Sequence, residues 1–115
     1  MIYNLDKINE LAEGDKDFIV SVVSVFLEEV PEDLYNLENA IAEKNYEQIY
    51  KMAHKIKPNV DLLGMQEARE VAFEIETLGK NDGSLETIQK SFPSLQNDIK
   101  QVIIELQKDF EVDTK

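Results

Sequence analysis

The stretch NYEQIYKMAHKIKPNVDLLG, residues 45–64, decides the fold. Tyr46, Ile49, Ala53, Ile56, Val60 and Leu63 recur at steps of three and four. That spacing lines apolar side chains along one stripe of an α-helix. It predicts a helix over about 45–63, with Gly64 as its stop. A helix with a single apolar stripe must bury it against other elements, so the stretch points to a bundle.

The same pattern extends in both directions. Residues 5–13 predict a short helix, with Leu5, Ile8 and Leu11 on one face and Gly14 ending it. Asp15 is placed to cap a long second helix reaching about residue 43, whose seam is Ile19, Val23, Phe26, Val30, Leu34, Leu37 and Ile41. Pro31 falls inside it and predicts a bend. Ala68, Val71, Ile75 and Leu78 predict a fourth helix over about 66–78. GKNDG at 79–83 is a turn signal. Leu85, Ile88, Phe92, Leu95, Ile99, Val102 and Leu106 carry the last helix, over about 84–110. Pro93 is expected to split that helix or to sit in its first turn. Short connections between long amphipathic helices imply antiparallel neighbours. The expected fold is all-α: an antiparallel up-down four-helix bundle with a short extra N-terminal helix. One domain over 1–115 is expected, with its core at about 5–110 and a frayed EVDTK tail.

Bulk composition narrows the chemistry. There is no cysteine, which removes disulfides, thiolate nucleophiles and cysteine metal sites. The start, MIYNLDKINE, lacks the basic and apolar regions of a secretory signal. The longest apolar run, FIVSVVSVFL at 18–27, is too short to span a bilayer. A soluble cytoplasmic protein is expected. The net charge is −12, which argues against nucleic acid and against an anionic membrane surface as partners. The charge is uneven, however. Residues 44–60 carry Lys44, Lys51, Lys55 and Lys57 against Glu47 alone, and this basic island holds the single histidine, His54.

His54 lies one residue off the seam at Ala53, which places it on the flank of its helix, toward solvent. Lys57, three residues on, shares that face, and Asp61 continues it. A surface histidine without a role is the plainest reading. Most catalytic readings fail on inventory. Zinc needs three or four ligands from a chain with one histidine and no cysteine. A di-iron site needs Glu-x-x-His, and Lys51 stands where that glutamate would be. No glycine-rich phosphate loop precedes any helix, and no metal site is expected. A neutral imidazole near pH 7 is, however, a good nucleophile that can accept and pass on a phosphoryl group. A neighbouring ammonium would stabilise the added charge. Lys57 is placed for that, and Lys55 is a weaker candidate.

Ala53-His54-Lys55-Ile56-Lys57, followed by Gly64 ten residues after the histidine, resembles the histidine-containing phosphotransfer (HPt) domain pattern Ala-His-x-hydrophobic-Lys-Gly-small. The order and lengths of the helices are similar over nearly all of the chain. The resemblance implies that His54 is the phospho-acceptor and Lys57 the phosphate-stabilising lysine. Pro58 departs from the pattern, which usually has glycine there. Proline removes the helical partner of the His54 carbonyl, so the departure implies a tolerated kink, a reshaped docking surface or a degenerate domain.

Helix geometry adds a third residue. His54 is ten residues before Gly64 and Glu76 ten after Gln66, so each lies about 15 Å from the turn on antiparallel neighbours. The family often has glutamine at the place of Glu76. A carboxylate there would hold Nδ1–H and leave Nε2 as the nucleophile. Lys80 occupies a place where some relatives carry a second basic residue. Ile8, Leu11 and Val22 are the expected docking residues. The resemblance implies receiver domains of response regulators or hybrid sensor histidine kinases as partners, and a monomer. It implies no cofactor of the chain's own, Mg²⁺ coming with the receiver, and no autophosphorylation from ATP. Two alternatives stay open: a non-catalytic interaction module of the same fold, and a bundle hydrolase or metalloenzyme.

Overall fold

Side-chain caps start three of the five helices in the computed structural model, which describes residues 3–110. Asp15 accepts from the backbone N–H of Asp17 and Phe18, Asn45 from Gln48 and Ser84 from Thr87. Each satisfies a donor that the first turn of a helix leaves without a partner. The helices are α1 (Asp6–Ala12), α2 (Lys16–Ala42), α3 (Tyr46–Leu62), α4 (Gln66–Lys80) and α5 (Leu85–Asp109). Among the described residues there is no strand. The fold is an all-α bundle: α2, α3, α4 and α5 pack in a ring, each against the next and α5 back against α2, with α1 laid on α2. No helix among the described residues is long and apolar enough to cross a membrane. The tail EVDTK lies outside the described residues.

The seams meet in one core. Ile49, Ala53, Ile56 and Val60 of α3 are fully buried, as are Ile88, Leu95, Ile99, Val102 and Leu106 of α5. None of the three prolines ends a helix. Pro31, Pro58 and Pro93 all lie inside continuous helices. Pro93 neither splits α5 nor sits in its first turn. The carbonyl it orphans belongs to Gln89, which is exposed, so water can take the place of the missing N–H.

Two features of α4 differ from expectation. It runs on through Gly79 and Lys80, which the turn signal had placed outside it. Its packing face is also rotated: Ala68, Ala72, Ile75, Glu76 and Gly79 are buried, while Val71 and Leu78 are only partly so. Small residues form this face because α4 lies close against α3. At Gly79 an added Cβ would come within 2.9 Å of the Tyr50 backbone nitrogen.

The turn joining α3 to α4 is fastened from outside. Asn4 N–H donates to the Leu63 carbonyl at 2.8 Å. The Asn4 side chain fills the space where a Cβ on Gly64 would project, and Gly64 has φ +66°. Glycine is required there on both counts. Asp61 adds ion pairs to Lys7 of α1 and Arg69 of α4.

Candidate functional site

Close packing at Gly79 sets the spacing that the site uses. Glu76 lies one turn before Gly79 on the buried face of α4, level with the middle of α3. One carboxylate oxygen, Oε2, lies 2.6 Å from His54 Nδ1, and the other, Oε1, accepts from Lys57 Nζ at 2.7 Å. The carboxylate side chain is 10% exposed and the His54 side chain 61%. A buried acid thus holds one edge of a ring whose other edge faces outward. Nε2 has no hydrogen-bond partner among the described residues. A carboxylate partner at Nδ1 selects the tautomer with the proton on Nδ1, leaving a lone pair on Nε2.

Burial alone would push the Glu76 carboxyl up. The hydrogen bonds from Lys57 and His54 and their charges outweigh it and hold the group below its ordinary 4.5. Glu76 is therefore ionised at neutral pH. Tyr50, one turn before His54, lies with its ring centroid 6.0 Å from the imidazole at an interplanar angle of 31°. The Lys57 ammonium also sits 5.1 Å above the Phe73 ring.

The lysines of the basic island are not equivalent. Lys57 is half-buried and engaged by Glu76. Lys55 points to the other side, where it pairs with the buried Asp33 of α2 at 3.0 Å. The hydrogen bond that Lys55 donates to Asp33, and the charge of that carboxylate, push the Lys55 ammonium pKa up. Lys80 is exposed, makes no ion pair among the described residues, and lines a groove with Tyr50, Phe73, Glu76, Thr77 and Asn81. Pro58 is exposed one turn beyond His54 and leaves α3 unbroken.

The three expected docking residues separate. Ile8 is fully buried and belongs to the core, which removes it from any docking surface. Ile8 and Ala12, four residues apart, form the face that α1 presses onto the bundle. Leu11 is 63% exposed. Val22 is half-buried and lines an apolar groove between α2 and α3 with Ser21, Val25, Asn59 and Leu62. Among the described residues no group of three or more His, Cys, Asp or Glu is placed to hold a metal ion.

Sequence spacing did not single out Gly79, Tyr50, Phe73 or Asp33. Tyr50 was within reach of it, at four residues before His54 on the same face. So was Asp33, an acid beside Leu34 on the inner side of α2.

Fold and site together define a class: a helical bundle that presents one exposed histidine, its ring gripped by a buried carboxylate. Comparison with known proteins gives this class a family. The family model described as Hpt domain matches residues 21–105, and the chain belongs to that family. A curated relative, the phosphorelay intermediate protein rdeA of Dictyostelium discoideum, is 27% identical over 100 residues. The match takes in 87% of this chain but only 39% of that protein. Among solved structures, the HPT domain of an Hpt sensor hybrid histidine kinase from Shewanella superposes with a TM-score of 0.82 at 15% identity. It covers 98% of this chain and 97% of that one. At that identity the likeness is one of fold.

Proposed function

We propose that the protein is a phosphocarrier in a two-component phosphorelay, with His54 as the residue that carries the phosphoryl group. One observation bears most of the weight: His54 is exposed, Nδ1 is held by a buried carboxylate, and Nε2 is free to react. Nε2 attacks the phosphorus of an aspartyl-phosphate on a receiver domain. The bond from phosphorus to the aspartate oxygen breaks, and its electron pair returns to the carboxylate. Transfer to a second receiver reverses these steps. Membership of the Hpt family and the phosphorelay relative both support the reading.

The partner is a receiver domain of a response regulator or of a hybrid sensor kinase, met by a cytoplasmic, monomeric carrier. The Mg²⁺ that transfer needs belongs to the receiver's acidic pocket. The carrier has no part in ATP-dependent phosphorylation. Lys80, which makes no ion pair among the described residues and lines the groove beside Glu76, is the lysine most available to a phosphoryl group on His54. Docking uses the groove of Val22, Val25 and Leu62, which opens along α3 beyond His54.

Incubation with a ³²P-labelled receiver tests this reading. Label should appear on the carrier in a form that is lost in acid and kept in alkali. Val25→Asp puts a charge into the groove at a half-exposed position and should slow transfer about tenfold, equivalent to about 1.4 kcal/mol of docking energy, while helix content stays the same. Unchanged transfer in this variant would remove the groove from the docking surface.

A further inference from the structure

We propose that Glu76 is a positioning residue whose negative charge, beyond its hydrogen bond, keeps the Nδ1 proton on the phosphorylated ring of His54 and thereby speeds delivery of the phosphoryl group. The inference rests on the reading of His54 as a phosphocarrier. It concerns the loaded state, after Nε2 has bonded to phosphorus.

The argument starts from the leaving group. When an acceptor carboxylate oxygen attacks the phosphorus, the Nε2–P bond breaks and its electron pair passes to Nε2. If Nδ1 still carries its proton, the ring departs as neutral imidazole. If Nδ1 has lost it, the ring must depart as an imidazolate anion, a far poorer leaving group. The phosphoryl group moves from nitrogen to oxygen, the proton stays on Nδ1, and no further reactant is required.

The structure provides a reason for the proton to stay. Glu76 Oε2 lies 2.6 Å from Nδ1, and the carboxylate is largely shielded from water. An ionised acid in that position favours the positively charged ring. An amide at the same place could accept the same hydrogen bond but would bring no charge. Lys57 moderates the effect, because its ammonium sits on the other oxygen of the same carboxylate at 2.7 Å. Lys57 therefore acts through Glu76 and sets how much of its charge reaches the ring.

The other charged groups around His54 leave Glu76 in control. On α3, Lys55 is drawn away by Asp33 of α2, and Glu29 and Glu32 of α2 act on Lys55 as well. On α4, Lys80 lines the groove beside Glu76. Tyr50 contributes an aromatic face next to the imidazole. Among the described residues, Glu76 is the carboxylate within hydrogen-bond distance of the ring.

The test loads His54 with phosphoramidate, a small phosphoryl donor that needs no partner protein, in the wild type, Glu76→Gln and Lys57→Met. Loss of the phosphoryl group to a receiver domain is then followed by ³¹P NMR from acid to alkaline pH. Wild-type transfer should stay fast until a midpoint, the pH at which Nδ1 of the loaded ring loses its proton. In Glu76→Gln that midpoint should move about one unit to lower pH, so that transfer at pH values above both midpoints slows about tenfold, the equivalent of one unit of differential interaction. In Lys57→Met the midpoint should move the opposite way. Coincident profiles in wild type and Glu76→Gln, with His54 loaded in both, would overturn the role of the charge and leave the carrier reading standing. Failure of phosphoramidate to load His54 in the wild type would overturn both.

Discussion

Replacing His54 by glutamine is expected to abolish acid-labile phosphate on the protein and to leave its fold intact. The imidazole is the only one in the chain, so no second nitrogen can take over its chemistry. Its side chain is mostly in solvent, and the helix beneath it is held by Ile49, Ala53, Ile56 and Val60. Glutamine is a good helix former, and its amide can donate to Glu76 as Nδ1 does. Glu76 also keeps Lys57. The change in stability should therefore stay within about 1 kcal/mol. Denaturant unfolding and phosphate labelling of one sample separate the two effects. Residual label at wild-type level on His54→Gln would exclude His54 as the carrier. This variant also separates the carrier from a non-catalytic interaction module, in which loss of the imidazole would change no chemistry.

Gly79→Val is expected to show the second-largest effect, and to act on stability and transfer together. The position is buried, and even a Cβ there meets the Tyr50 backbone nitrogen at 2.9 Å and Ile49 Cγ2 at 3.1 Å. Backbone cannot yield as a side-chain tip can. Helix α4 must therefore move away from α3, or the overpacked contact must stay strained. Overpacking of this kind costs about 1–3 kcal/mol, against a few tenths recovered from the better helix propensity of valine. At this chain length the loss corresponds to a fall in Tm of about 3–10 °C. Glu76 lies one turn from the wedge and moves with α4, so the 2.6 Å contact to His54 should lengthen and receiver-dependent transfer should slow. Calorimetry and transfer assays check the two halves. A variant with wild-type Tm and rate would mean that the close approach of α3 and α4 does not set the site.

Much of this arrangement was readable from spacing. The steps of three and four in residues 45–64 located α3 to within a residue at each end, because a long, strongly periodic stripe has few alternatives. The equal height of His54 and Glu76 followed from two counts of ten residues and the helical rise. On α4, however, the reading favoured the larger apolar residues Val71 and Leu78 over Ala72 and Gly79. The buried face is chosen by how closely the neighbouring helix approaches, and small residues at a close crossing look unimportant in a pattern of hydrophobicity. The same blindness assigned Gly79 to a turn. Ile8 and Leu11 are both apolar and share one face of a single helical turn pair, yet one is buried and the other exposed. Only the seating of α1 on α2 distinguishes them. The engagement of Lys57 by Glu76 lay out of reach for a different reason. Spacing put the lysine beside the histidine, but not on the second oxygen of the acid across the helix interface.

The central claim is that the phosphoryl group enters on Nε2 of His54 because Glu76 occupies Nδ1. Its most direct test uses protein labelled with ¹⁵N in histidine, phosphorylated by a receiver aspartyl-phosphate and read by ¹H–¹⁵N and ³¹P NMR. A single histidine gives one pair of ring nitrogens, so the assignment is unambiguous. The expected result is phosphorus coupled to Nε2, with the Nδ1 proton retained. Phosphorus on Nδ1, or no phosphohistidine with a receiver that transfers to other Hpt domains, would contradict the account.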